Sequence, residues 1–274
     1  MRQTQSILLI AIDSIIPVRG KAVAGFDEFC AALDHNGIPS VWVTSRSRLQ
    51  IDEPRRRFGH ANPFIAEDGC GVYLPEDYFH LKPTTKTVRL GRFTTIPIAQ
   101  LLPAAKDALD SLSEETEVAV VPLKSLSPRE LTQNTGLPQR EAELARQRDF
   151  DELFFFAGAT ETDVTRFQNV AAEKKIALRQ HGVMWSAAVG ASVTQCVRDL
   201  TKLYERALRS HPAIIGIAGT SETQTLLPSC DRGIVLARHA EMETAAQKHT
   251  KARIFGMFDE TVWEQILEAV TTRR

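Results

Sequence analysis

The first 44 residues constrain the fold most. SILLIAID, residues 6 to 13, is a short apolar run that ends on a polar residue, the pattern of a strand buried on both faces. Phe26, Phe29, Cys30 and Leu33 then recur at helical spacing, which predicts a helix over 22–35, and Asn36-Gly37 stops it. PSVWVT, residues 39 to 44, reads as a second strand. Strand, helix and strand in so short a span form a βαβ unit, which requires a right-handed crossover and favours a parallel sheet. A short helix at 47–58 and a strand at 63–66 continue the theme. The C-terminal third returns to it, with an amphipathic helix over 191–210 carrying Val197, Leu200, Leu203, Tyr204 and Ala207 on one side. The apolar strand AIIGIA follows at 213–218, then a short helix at 223–227, a strand at 233–236 and a terminal helix at 259–270.

The middle breaks the alternation. TVRLGRFT at 87–94 reads as one strand, 98–112 as a helix that Pro103 breaks or restarts, and 118–121 as a brief strand. Ser127, Pro128 and Glu130 stand at the cap, first-turn and box positions of a helix, and Gly136-Leu137-Pro138 separates it from a charged helix at 139–147. A strand at 151–156, a helix at 161–174 and a strand pair at 177–180 and 184–188 complete an α+β insertion. The expected organisation is a core from residues 1–83 and 186–274 with a cap from 84–185.

Charge and cysteines exclude several classes. Lys plus Arg total 33 against 34 Asp plus Glu, a net charge of -1, so there is no basic excess for gripping nucleic acid. The apolar run at Ile7–Ile12 is too short to cross a bilayer, and Asp13 interrupts it before any small-residue cleavage site. The four cysteines are scattered with no C-x-x-C, so neither zinc nor a disulfide framework is expected, and the default compartment is a reducing cytoplasm. No H-E-x-x-H or H-x-x-E-H spacing marks a metal site.

Three stretches resemble the haloacid dehalogenase-like (HAD) phosphatase superfamily, and within it the mannosyl-3-phosphoglycerate phosphatases. PFIAEDGCGVYLPEDYF at 63–79 is similar to that family's PFI-x-E-N-G signature, with Asp68 in place of Asn. LSPRELTQNTGLPQREAELARQRDFDELF at 126–154 is similar to its cap helices, and VWVTSRSR at 41–48 to its second strand. The resemblance implies an α/β fold, a HAD-like (Rossmannoid) parallel-sheet core with an inserted α+β cap domain. It also implies a chemistry. An Asp at the end of the first strand attacks phosphorus, a second Asp two residues on serves as acid and base, a Thr or Ser and a Lys hold the phosphoryl group, and further acids hold Mg2+.

Carried over residue by residue, much of that machinery is missing. The nucleophile position is Ala11, the lysine position is Val193, and the metal-loop aspartates become Gly219 and Thr223, leaving Glu222 as the one carboxylate of that loop. Asp13 stands at the acid/base position and Thr44 at the phosphate-holding position. The family's arginine-rich turn reads QHGV at 180–183. The expectation is a protein that keeps the fold and has lost phosphatase chemistry, a pseudoenzyme that binds a protein partner or a phosphorylated small molecule and needs no metal or cofactor. Nucleic acid and membranes are not expected partners. The alternative is a divergent Mg2+-dependent sugar-phosphate phosphatase. Candidate ligand contacts are Thr44, Ser45 and Arg46 at a strand end, and Arg146 and Arg148 in the cap. Plainer readings stand beside these: Asp13 capping its own turn, Thr44 to Arg46 as a hydroxyl-rich turn, and the cap arginines as a solvated charged helix.

Overall fold

A computed structural model describes residues 6–271. The first sheet runs through β1 (Ser6–Ala11), β2 (Ser40–Val43), β3 (Phe64–Ala66), β4 (Gly71–Leu74), β5 (Val88–Leu90) and β6 (Phe93–Pro97). The second sheet takes β7 (Val120–Pro122), β8 (Glu152–Phe156), β9 (Ile176–His181) and β10 (Met184–Val189), and the chain returns to the first with β11 (Ala213–Gly219), β12 (Arg232–Ala237) and β13 (Ala252–Gly256). The helices are α1 (Phe26–His35), α2 (Arg48–Arg57), α3 (Leu102–Thr116), α4 (Pro128–Thr135), α5 (Gln139–Ala145), α6 (Glu161–Glu173), α7 (Val193–Leu208), α8 (Thr223–Leu226), α9 (Met242–Lys248) and α10 (Val262–Thr271).

The large sheet has the order β13-β12-β11-β1-β2-β3-β4-β6-β5. Its first six strands are parallel, and β4, β6 and β5 extend it antiparallel. The two-residue period of β1 explains why it lies at the centre. Leu8, Ile10 and Ile12 point into a core shared with Phe26, Phe29 and Trp263, whereas Ile7, Leu9 and Ala11 point into a second core with Val193, Val197 and Leu200. Trp263 stacks on Phe29 with ring centroids 4.8 Å apart and donates its indole N–H to the Ala24 carbonyl.

The inserted unit is a four-stranded antiparallel sheet, β7-β8-β10-β9. Alternation along β8 again sorts its faces, since Phe154 packs with Leu109, Leu112 and Phe167 of α3 and α6, and Leu153 with Leu131, Ala142 and Ala145 of α4 and α5. The capping box expected at Ser127 is present, with Glu130 reaching back to the Ser127 N–H.

The expected domain boundaries shift. Residues 88–97 belong to the large sheet, where Tyr73 of β4 pairs with Thr95 of β6. The run read as one strand is a hairpin, because Gly91 at φ +57° reverses the chain between Leu90 and Phe93. At the other end, β10 continues past residue 185, its register with β9 running from Met184↔His181 to Val189↔Ile176. The cap elements therefore begin at α3 and end with β10. Among the described residues, no helix is long and apolar enough to cross a membrane.

One glycine fixes how the β3–β4 loop meets α7. Gly69 has φ +88°, and a Cβ there would stand 2.4 Å from the Val193 backbone nitrogen. Its carbonyl receives the Ser192 N–H just before the helix. Gly69→Ala is expected to cost about 3 kcal/mol in urea unfolding, strain plus overlap. Gly59→Ala, at φ +64° with open space around it, should cost about 1 kcal/mol. Equal losses would show that the close approach to α7 does not matter.

Candidate functional site

The C-terminal ends of β1, β2, β3 and β11 open on one side of the large sheet, and the β9–β10 hairpin of the cap lies over them. Between them is a cleft of about 310 Å3, lined among others by Ala11, Asp13, Thr44, Ser45, Asp68, Arg179, Gln180, His181 and Glu222. This is where open α/β sheets place ligands, since loops diverge beyond the strand ends.

Asp13 is the centre of the core side. Its Oδ1 accepts from Thr44 Oγ1 at 2.5 Å and Arg46 Nε at 3.0 Å. Its Oδ2 accepts from the Ser45 N–H and Ser45 Oγ, both at 2.7 Å. Burial pushes the carboxyl up, but the Arg46 guanidinium and the three other donors outweigh it and hold the pKa below the usual carboxylate value. The reading of Asp13 as a cap on its own turn is corrected: its partners come from the loop after β2.

That arrangement also reassigns the arginines. Arg46 is buried, pairs with Asp13, and donates a second time from Nη2 to the Ile16 carbonyl at 2.7 Å. Its charge faces inward, so the expected ligand contact is replaced by a structural one. Arg148 is buried as well, held by Asp151 at 2.5 and 2.7 Å and donating to the Ser45 carbonyl at 2.8 Å. Arg146 donates to the Lys124 carbonyl within the cap. Neither cap arginine lines the cleft, and Arg148 is not on a solvated face either. Thr44 and Ser45 do reach the cleft, though their hydroxyls are used by Asp13.

Glu222 has a role the sequence left open. Its Oε1 accepts the Ser14 N–H at 3.1 Å, and its Oε2 accepts Ser14 Oγ at 2.7 Å and the Gly219 N–H at 3.0 Å. It thereby ties the turn after β1 to the loop after β11. Burial and the nearby Asp13 charge push its carboxyl up to about 7. The bridge fills the space beside Gly219, where a Cβ would lie 2.3 Å from Ser14 Oγ and 3.0 Å from Glu222 Oε2.

The cap side contributes a pair that sequence reading did not join. His181 Nε2 lies 2.9 Å from Asp68 Oδ2 and 3.2 Å from Ser186 Oγ. That carboxylate oxygen is buried and has no other hydrogen-bond partner. Burial opposes protonation of His181, and Asp68 overcomes it, so the imidazole pKa is raised. Both positions depart from the family's signatures, and these two departures, 113 positions apart in the chain, meet. Glu67 was also missed. Fully buried after β3, it accepts the successive N–H groups of Asp149, Phe150 and Asp151 at 2.9 to 3.1 Å and fastens the end of the α4–α5 segment to the core.

The superfamily resemblance implies Mg2+, and these residues do not fit it. Magnesium demands near-octahedral oxygen ligation. Each oxygen of Asp13 already carries two donors, and Glu222 accepts three hydrogen bonds. Among the described residues, no three His, Cys, Asp or Glu side chains are grouped to hold a metal ion.

Comparison with known proteins places this geometry. Two solved phosphatases share the fold over nearly their whole length. One is a HAD-superfamily phosphatase from Bacteroides thetaiotaomicron, with a TM-score of 0.62 and 13% identity over 97% of this chain and 95% of that one. The other is a HAD subclass IIB sugar phosphatase, with a TM-score of 0.64 and 10% identity over 97% and 98%. The chain has the HAD-like α/β fold, with helices on a mixed, largely parallel sheet. In sequence it is similar to the glucosyl-3-phosphoglycerate/mannosyl-3-phosphoglycerate phosphatase of Persephonella marina, 23% identical over 203 residues, 73% of this chain and 72% of that one. The protein of the same name from Methanococcoides burtonii is 26% identical over 123 residues, 44% of each chain. No protein-family model matches the chain. The chain thus has a HAD-like fold and is similar in sequence to phosphatases named for mannosyl-3-phosphoglycerate.

The Glu222 bridge gives a pH-dependent expectation. A carboxyl whose folded pKa is raised, here from 4.5 to about 7, stabilises fully below the unfolded value and loses that contribution as pH rises through the folded one. Urea unfolding should therefore show the wild type losing roughly 1–3 kcal/mol between pH 4.5 and 7.5 relative to Glu222→Gln. Parallel pH profiles for the two proteins would show that Glu222 titrates normally.

Proposed function

We propose that this chain binds a small polar ligand between cap and core and does not carry out phosphoryl transfer through an aspartyl-phosphate. The observation that carries the reading is at the end of β1. The side chain at the expected nucleophile position is the methyl group of Ala11, on the cleft wall with Val43, Val193 and Leu226. A methyl group cannot attack phosphorus, and the next carboxylate, Asp13, is engaged by four donors. The cleft keeps what binding needs. It has an apolar wall, Arg179 and Gln180 reaching in from the cap, and the Asp68–His181 pair joining core and cap at its edge.

A second reading has support from the similar proteins, which are named as phosphatases. A divergent phosphatase built on Asp13 and Glu222 would need both carboxylates released, one from Arg46 and the other from Ser14 and Gly219. The same obstacle bears on reconstruction. Ala11→Asp alone supplies a carboxylate with no lysine or metal to offset it, and Gly219→Asp runs into Ser14 and Glu222.

Phosphate release from p-nitrophenyl phosphate and from mannosyl-3-phosphoglycerate, with Mg2+ present, separates the readings. Loss of a nucleophile removes several orders of magnitude of rate. The expected result is release at the no-protein background in both the wild type and Asp13→Asn. Turnover in the wild type that Asp13→Asn abolishes would establish the second reading.

A further inference from the structure

Four donors converge on one point at the strand ends: Thr44 Oγ1, the Ser45 N–H, Ser45 Oγ and Arg46 Nε. Two hydroxyls, a backbone amide and a guanidinium, all aimed inward from one turn after a parallel strand, are the set that holds an oxyanion. Here the anion is part of the chain. Each oxygen of Asp13 takes two of the donors, at 2.5 to 3.0 Å. Arg46 also donates from Nη2 to the Ile16 carbonyl.

We infer that Asp13 is the resident anion of an oxyanion cradle formed by Thr44, Ser45 and Arg46, and that it excludes phosphate from the core end of the cleft. A phosphate arriving there would meet Asp13 with its donors already committed, and the Glu222 carboxyl close by. The basic side chains that line the cleft, Arg179 and His181, belong to the cap. The part of a ligand that reaches the strand ends is therefore uncharged, set against Ala11, Val43, Val193 and Leu226. This deepens the binding reading above and rests on it for the existence of a cleft ligand; the cradle itself is tested separately.

The probe is inorganic phosphate, against sodium chloride at equal ionic strength, on the full chain. Thermal unfolding reads stabilisation, and 31P line broadening reads binding directly. In the wild type, phosphate should change neither. In Asp13→Ala the cradle is vacated and the buried Arg46 loses its partner, so the variant should unfold at lower temperature in chloride. Phosphate should then restore part of the loss saturably and bind at least about tenfold more tightly than to wild type. If Asp13→Ala does not fold in chloride, refolding in phosphate reads the same rescue. Asp13→Asn, which keeps the side-chain volume in the cradle, should be rescued less. Phosphate binding to the wild type as tight as to Asp13→Ala would overturn the inference. So would the absence of rescue and of broadening in Asp13→Ala. Turnover enters none of these readouts, so hydrolysis by the wild type would defeat the binding reading without deciding this one.

Discussion

A single half-buried carboxylate organises the mouth of the large sheet. Asp13 leaves the end of β1 and takes donors from three successive residues after β2, so two neighbouring strands are locked at their C-terminal ends by one group. Arg46 is buried only because Asp13 neutralises it, and its second donor pins the turn at Ile16. The adjacent Ser45 carbonyl receives Arg148, which is fixed by Asp151. A continuous chain of charge-assisted hydrogen bonds thus runs from β1 through the loop after β2 to the segment that carries the cap. Removing Asp13 would leave the buried Arg46 charge without its partner.

Around this network, neutral groups occupy the positions where the resemblance implies charge. Ala11 and Val193 put methyl groups on the cleft wall, and the Ser14–Glu222 bridge fills the volume beside Gly219. A site that held several carboxylates would need metal and lysine to offset their repulsion. With those side chains absent, the carboxylates that remain are satisfied by hydrogen bonds within the chain. The losses are mutually consistent, which is why a single reversion is expected to strain the site.

The sequence made the core legible and the site only in part. The continuous apolar runs in SILLIAID and AIIGIA mark the central parallel strands, because burial on both faces removes any polar alternation. The Ser127 box was readable because capping is local chemistry. The strand at Gly71–Leu74, which pairs antiparallel beside β3, and the strand at Ala252–Gly256, with charged Arg253 within it, carry weaker signals and went unread. Glycine at 91 turned one expected strand into two. At the site, Asp13, Thr44 and Ser45 were correctly placed near the strand ends, but the direction of their bonds was not readable. Arg46 is a candidate ligand contact from its place at a strand end, and Arg146 and Arg148 from the resemblance of their cap segment. Their actual partners, Asp13, the Lys124 carbonyl and Asp151, are set by tertiary packing. Asp68 and His181 pair across the two units, a contact between sites 113 positions apart that no local pattern encodes.

The most direct measurement is the titration of the Asp13 carboxyl carbon by 13C NMR, with and without Mg2+. A carboxylate held by Arg46, Thr44 and Ser45 should titrate below the ordinary aspartate pKa of about 3.9, and its shift should not respond to Mg2+. A pKa at or above the ordinary value, or a saturable Mg2+-dependent shift, would mean that the carboxylate is free for other work, and would contradict the account.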